Sequence, residues 1–186
     1  MGKLILQVQM TVDGFVAAPD GGLDWTTWVW DERLEKYVNE LTGRAGTILL
    51  GRKMTDGFIN YWSGVLTDPS SREYPFARKM IDTPKVVFTQ TLEKSPWINT
   101  VLATGDISEE VNKIKKNADN DIIVYGGSSF VSSLVKNNLI DEYHLFVNPS
   151  ALGSGMTIFG ERKNLELKNA VGYPCGIVHL HYEPKK

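Results

Sequence analysis

The chain alternates between short apolar runs and amphipathic stretches, a pattern that predicts alternating strands and helices. Its first apolar run, Leu4–Met10, is continuous, as in a buried strand. Between Asp31 and Leu41 the apolar residues instead recur every three or four positions, with charge on the other face, which predicts a helix. Further strands are predicted at residues 47–50, 85–88, 101–103, 122–125 and 143–147. Further helices are predicted to begin near residues 52, 72, 106 and 128.

The last part of the chain has a different pattern. Residues 164–171 and 177–182 alternate between apolar and polar positions around a glycine- and proline-containing turn, which predicts an antiparallel hairpin. The stretch from Phe58 to Tyr74 is aromatic and turn-rich, and we expect it to be irregular. The fold class is therefore α/β, with a mostly parallel central sheet flanked by helices and a C-terminal antiparallel hairpin. No linker or repeat divides the chain, so we expect a single domain over residues 1–186.

Composition excludes several classes of function. The formal net charge of -2 gives no overall basic field, which argues against nucleic acid as a partner. The single cysteine, Cys175, excludes an intramolecular disulfide and a multi-cysteine zinc site. The first apolar run is too short to span a membrane and has no small-residue cleavage pattern. These features predict a soluble, cytoplasmic protein that acts on a small molecule and has no membrane partner.

One strand-to-helix junction carries two adjacent glycines. Gly126 and Gly127 end an apolar run, and Ser128 and Ser129 begin the following helical pattern. Glycines here let the backbone approach a ligand closely, and the first free N–H groups of the helix would then point at it. Such a junction suits a phosphate group. The alternative is a tight turn that needs glycine only for its backbone angles.

A second junction adds positive charge. Gly51 follows the second predicted strand, and Arg52 and Lys53 open the next helix. Cations at a helix N-terminus suit a phosphate monoester, although they could also be solvated surface charges. Thr89 follows the third predicted strand, where a hydroxyl can bond a ribose or a phosphate, or simply begin a loop.

Ligands of open parallel sheets bind beyond the carboxyl ends of the strands. Five predicted strand ends carry candidate residues there: Thr11, Gly51, Thr89, Gly126 and Asn148. The loop after the first strand adds Asp13 and Trp25, which could form a pocket wall or a surface turn. Neither the Gly-x-Gly-x-x-Gly fingerprint nor a Walker loop is present.

The three histidines are expected to be structural. His144 lies within an apolar strand, and His179 and His181 alternate along the last strand. A two-histidine metal site on one face of that strand is geometrically possible. The sequence shows no third ligand, so no metal is predicted.

Four segments in order resemble the dihydrofolate reductase-like family, which includes the C-terminal reductase domain of bifunctional riboflavin-biosynthesis deaminase/reductase proteins. They are residues 11–17, 49–54, 124–128 and 139–145, the last followed by 149–155. The resemblance covers nearly the whole chain. It implies an NADPH-binding α/β reductase, often a homodimer, whose cofactor lies along the carboxyl edge of the sheet.

The resemblance also assigns residues. Gly51, Arg52 and Lys53 would hold the adenosine-side phosphate, with Thr89 beside the adenine ribose. The diphosphate would be cradled by Gly126, Gly127, Ser128 and Ser129. The loop from Asp13 to Trp25 would cover the nicotinamide, which makes these two residues the candidates for catalysis. Candidates for contact with the substrate are Val12, Tyr125 and Asn148. Tyr125 stands where the riboflavin-pathway reductases usually have a glutamate, so the cofactor half matches better than the substrate half.

Three functions follow from these features. The first is an NADPH-dependent reductase of a small heterocyclic substrate, with 5-amino-6-(5-phosphoribosylamino)uracil as a candidate. The second is a protein that binds a nucleotide or flavin without turnover. The third is a partner-binding domain with neither property.

Overall fold

The computed structural model describes residues 1–185 and contains one eight-stranded sheet with five helices. The strands are β1 Leu4–Thr11, β2 Ala45–Gly51, β3 Lys85–Phe88, β4 Thr100–Ala103, β5 Asp121–Val124, β6 Glu142–Asn148, β7 Leu165–Gly172 and β8 Val178–Pro184. The helices are α1 Glu32–Gly43, α2 Arg52–Val65, α3 Tyr74–Asp82, α4 Ile107–Asn117 and α5 Ser128–Lys136.

The strand order is β4-β3-β2-β5-β1-β6-β8-β7. The first six strands pair in parallel, and β8 and β7 complete the sheet in antiparallel fashion. This arrangement confirms the predicted fold class, including the C-terminal hairpin. The carboxyl ends of β3, β2, β5, β1 and β6 consequently share one edge of the sheet, which we call the carboxyl edge.

The central strands are apolar because both faces of the sheet are covered. On one face β1 and β5 pack with α4 and α5 through a cluster that includes Val111, Val131 and Leu134. On the other face the same strands pack with α1, α2 and α3 through a cluster that includes Leu41, Phe58 and Met80. The two clusters hold the sheet rigid beneath the loops of the carboxyl edge.

The expectation of irregular structure from Phe58 to Tyr74 was wrong for its first half. Helix α2 continues to Val65, and only the following residues up to the start of α3 are irregular. Phe58 is buried, and its ring centre lies 6.4 Å from that of Trp62 one turn later. Burial of this aromatic face outweighs the weak helix propensity of the two glycines in α2, Gly57 and Gly64.

Four of the five helix starts fall into two kinds; the fifth, that of α3, follows Glu73 and has a proline in its first turn. Asp31 and Asp106 cap α1 and α4, each with a carboxylate that accepts two backbone N–H bonds. Helices α2 and α5 instead have glycine N-caps, Gly51 and Gly127, without a side-chain hydrogen bond. Because β2 and β5 are neighbours in the sheet, these two uncapped N-termini lie side by side at the carboxyl edge.

No helix within residues 1–185 is both long enough and apolar enough to cross a membrane.

Candidate functional site

The two uncapped helix starts contact each other. A Cβ atom on Gly51 would lie 2.8 Å from the Cβ of Phe130, so glycine at this position lets α5 pack against the end of β2. A Cβ atom on Gly126 would lie 3.2 Å from the sulfur of Met54 in α2. Glycines at both junctions therefore serve the close approach of α2 and α5, in addition to any ligand.

Thioether sulfurs contact the donors of the paired-glycine junction. The Gly127 N–H donates to Met54 Sδ over 3.1 Å, and the Ser128 hydroxyl donates to Met156 Sδ over 3.3 Å. Sulfur is a weak acceptor, so phosphate oxygens could replace both sulfurs at little cost. Sequence analysis missed both methionines, because nothing in their local pattern indicates that they face this junction.

Arg52 is held in place at the start of α2. Its Nη1 donates to Asp56 Oδ2 over 3.0 Å, and its Cζ lies 5.4 Å from the ring centre of Trp97. Lys53, the other predicted cation, is exposed. The structure thus places one ordered and one exposed cation beside the two helix N-termini.

Thr89 has a local structural role. It is buried after β3, and its hydroxyl oxygen accepts from the backbone N–H groups of Thr91 and Leu92 over 3.1 and 3.2 Å. These bonds fix the turn that leaves β3. They favour the simpler of the two interpretations of this residue, a loop start, over a ribose contact.

Asp13 ties two loops together. Its carboxylate accepts from the Thr11 hydroxyl over 2.5 Å and from the N–H groups of Leu152 and Gly153 over 3.0 and 2.7 Å. The bond from Thr11, followed by that from Gly153, lowers the pKa of Asp13. The carboxylate joins the β1–α1 loop to the β6–β7 loop and so fixes these loops relative to each other, and its catalytic role stays a prediction.

Trp25 and Val12 lie in the same pair of loops. The Ser150 hydroxyl donates to the carbonyl of Trp25 over 3.2 Å, and the Val12 N–H donates to the carbonyl of Ser150 over 2.9 Å. The side chain of Val12 is 63% exposed, and Trp25 is half-buried. Met156, in the second of these loops, contacts Ser128, so the loops meet the paired-glycine junction.

Asn148 does not reach this surface. It is fully buried, its Oδ1 accepts from the Thr27 N–H over 2.8 Å, and its Nδ2 donates to Gln9 Oε1 over 2.8 Å and to the Phe146 carbonyl over 3.0 Å. The amide anchors the β1–α1 loop to the sheet. Its burial argues against the predicted substrate contact.

Tyr125 packs against the core cluster beneath α1 and α2. Its hydroxyl donates to Thr42 Oγ1 in the last turn of α1 over 3.3 Å, and its ring stacks on Phe58 with 5.9 Å between centres. Burial raises the pKa of this phenol above its ordinary value. The predicted substrate contact is not supported, because the side chain fills space beneath α1 and α2.

A buried polar network, not predicted from sequence, lies beneath α1 near the amino end of β6. His144 Nδ1 lies 2.9 Å from the Tyr37 hydroxyl and 3.1 Å from His179 Nε2, and its Nε2 lies 3.3 Å from Glu142 Oε2. Pairing of β6 with β8 also places His181 directly opposite His144. We call Tyr37, Glu142, His144, His179 and His181 the histidine network.

Two cations complete this network. Lys3 Nζ and Arg44 Nη1 donate to the two oxygens of Glu142 over 2.7 and 2.9 Å. Hydrogen bonds from His144, Arg44 and Lys3 hold the pKa of Glu142 well below its ordinary value. Burial lowers the pKa of His179 to about 3 and lowers that of His181 as well. The network therefore combines an ionised Glu142 carboxylate with two imidazoles, His179 and His181, whose neutral forms are favoured by burial.

The network has the residue types of a metal site but not the geometry of one. One ligand atom from each of Glu142, His144 and His181 lies within 4.8 Å of the others. The rings of His144 and His181, however, stack at 4.3 Å with only 16° between their planes, so their in-plane lone pairs do not converge. The oxygens of Glu142 are also bonded to two cations. We assign the network a structural role.

Known proteins are similar to this chain in sequence or in fold. The uncharacterized protein YyaP of Bacillus subtilis is 31% identical over 186 residues, covering 97% of this chain and 94% of that protein. A diaminohydroxyphosphoribosylaminopyrimidine deaminase/5-amino-6-(5-phosphoribosylamino)uracil reductase from Thermotoga maritima superposes with a TM-score of 0.69 at 18% identity, over 99% of this chain and 57% of that one. A pyrimidine reductase-like protein from Corynebacterium diphtheriae superposes with a TM-score of 0.63 at 14% identity, over 100% of this chain and 92% of that one.

These structures confirm the resemblance in fold to the reductase domain of riboflavin-biosynthesis proteins. In sequence, residues 2–179 match the RibD C-terminal domain, a family of reductases. This chain therefore belongs to the RibD C-terminal domain family.

Proposed function

We propose that this protein is an NADPH-dependent reductase of a small heterocyclic substrate, with the cofactor bound along the carboxyl edge. The observation that carries the proposal is the pair of uncapped, glycine-started helices, α2 and α5, at the ends of neighbouring strands. Their free N–H groups and positive dipole ends favour two phosphate groups on one ligand. A phosphorylated dinucleotide offers phosphates at both ends of its adenosine half.

The residues divide between the two phosphate positions. The junction from Gly126 to Ser129 would receive the diphosphate, whose oxygens would take the donors now paired with Met54 and Met156. Arg52 would bind the 2′-phosphate, with Lys53 adding charge from the surface. When bound, the cofactor supplies the hydride. The protein binds and orients the cofactor and the substrate, and it excludes water from them.

The substrate end is assigned to the two loops tied by Asp13. Val12 and Trp25 lie there and offer apolar and aromatic surface to a flat heterocycle. A phosphoribosylaminouracil, named for the Thermotoga maritima protein, is the first candidate to test.

Binding without turnover is the second candidate function. It is favoured by the core positions of Tyr125 and Asn148, which leave few side-chain donors on the substrate side. This alternative predicts that NADPH binds but is not oxidised by any pyrimidine tested.

Replacing Arg52 tests the phosphate assignment. Arg52→Ala is expected to weaken NADPH binding by about 10- to 100-fold, the effect of losing charge-assisted hydrogen bonds to a phosphate, while NADH binding stays unchanged. Calorimetric titration measures both. Arg78→Ala is the matched control, because Arg78 is also a helical arginine with a carboxylate, Asp82, four residues later. Unchanged NADPH affinity in Arg52→Ala would reject the assignment.

A further inference from the structure

We propose that Trp97 is a positioning residue that sets the preference for a cofactor carrying a 2′-phosphate. The proposal rests on the proposed function and extends it to a residue outside the predicted site. Trp97 lies in the loop between β3 and β4, and it packs partly buried against the cluster beneath α2 and α3. It reaches Arg52 only because β3 is the neighbour of β2 in the sheet.

Trp97, Arg52 and Asp56 form a closed triangle of contacts. The Trp97 Nε1–H donates to Asp56 Oδ1 over 3.0 Å, and the other oxygen of Asp56 accepts from Arg52 over 3.0 Å. The Arg52 guanidinium lies over the Trp97 ring at 5.4 Å, within the range of a cation–π contact. Trp97 therefore holds Arg52 both directly and through Asp56.

This arrangement leaves the guanidinium ordered but available. Asp56 accepts a hydrogen bond only from Nη1 of Arg52. Within residues 1–185 no group accepts a hydrogen bond from its Nε or Nη2. These two donors can bind two oxygens of a phosphate monoester in a bidentate manner. A guanidinium already held in one orientation loses less conformational freedom on binding than a free surface arginine.

Of the two residues that hold Arg52, Trp97 is the one that favours phosphate binding. The Asp56 carboxylate repels an incoming phosphate dianion, whereas the neutral indole orders Arg52 without adding negative charge. NADH lacks the 2′-phosphate and gains nothing from an ordered Arg52. Trp97 should therefore affect NADPH and leave NADH unaffected.

Calorimetric titration of Trp97→Leu and Trp97→Phe with both cofactors tests this role. Trp97→Leu is expected to weaken NADPH binding by about 3- to 10-fold, the range of a cation–π contact, with NADH binding unchanged. Trp97→Phe keeps an aromatic face and should retain most of the affinity. Equal weakening for both cofactors, or none for either, would overturn the positioning role. If the protein without substitutions binds NADPH no more tightly than NADH, the proposed function is overturned, and this inference with it.

A fluorescence measurement tests the same contact without requiring the Trp97→Leu variant to fold. Adenosine 2′-monophosphate is expected to change the tryptophan emission of the unchanged protein, because the phosphate contacts the guanidinium stacked on Trp97. Adenosine 5′-monophosphate should change it less, and Trp97→Phe should abolish the difference. The same response to both nucleotides, or its persistence in Trp97→Phe, would refute the contact.

Discussion

The free energy of unfolding is expected to fall by about 2 kcal/mol between pH 7 and pH 5, because His179 is buried as a neutral imidazole. Burial lowers its pKa from 6.5 to about 3, with smaller contributions from His144 and His181. Between these values the unfolded chain binds a proton that the folded protein does not, so stability is lost as the pH falls through 6.5. The lowered pKa of His181 adds a loss in the same direction.

Urea unfolding at pH 7, 6 and 5 measures this slope, and His179→Gln is the control. Glutamine lacks the titrating group, so the pH dependence of the variant should be shallower by about 1 kcal/mol per pH unit on average between pH 7 and pH 5, approaching the one-proton limit of about 1.4 kcal/mol per pH unit near pH 5. Glu142 has a lowered pKa and an ordinary value of 4.5, so its contribution is lost mainly below this window. An identical slope in the two proteins would show that His179 does not carry the effect.

Glu142→Gln is expected to destabilise the protein by about 3 kcal/mol, since it removes the charge on which the buried network is centred. The carboxylate side chain is 4% exposed and bonds Lys3, Arg44 and His144. Both cations are partly exposed, at 52% and 40%, so water can replace some of the lost interaction. The expected loss therefore lies at the low end for a broken buried ion pair.

Glu40→Gln provides the comparison for this loss. Glu40 is 66% exposed and faces Lys36 one turn earlier at 3.9 Å. Exposed helical pairs contribute at most about 0.5 kcal/mol, so this variant should unfold near the midpoint of the unchanged protein. Urea unfolding at pH 7 measures both variants. Equally small losses of unfolding free energy in Glu142→Gln and Glu40→Gln would contradict the central place of Glu142.

Local patterns predicted most of the fold. The runs at β1 and β5 and the helical spacing of α1 specify their elements within a few residues, because burial on one or both faces sets the pattern directly. The segment from Phe58 to Val65 was misjudged, since its aromatic residues and Gly64 suggest turns locally. Only packing on the sheet shows that Phe58 and Trp62 form one helical face.

At the candidate site, backbone positions could be predicted from the sequence, whereas side-chain directions could not. Gly51 and Gly127 could be placed at helix starts because a strand followed by glycine and an amphipathic stretch indicates a junction. Asn148 also lies at the predicted strand end, yet its amide turns inward to Gln9, and Tyr125 turns beneath α1. The histidine network needs β6 beside β8, a pairing that no local pattern contains.

We propose above all that the carboxyl edge binds NADPH through its two phosphate positions. Calorimetric titration of the unchanged protein with NADPH and with NADH tests it most directly. We predict that NADPH binds at least about 10-fold more tightly, because only NADPH can use Arg52 in addition to the junction from Gly126 to Ser129. Equal affinity for the two cofactors, or binding of neither, would contradict the claim.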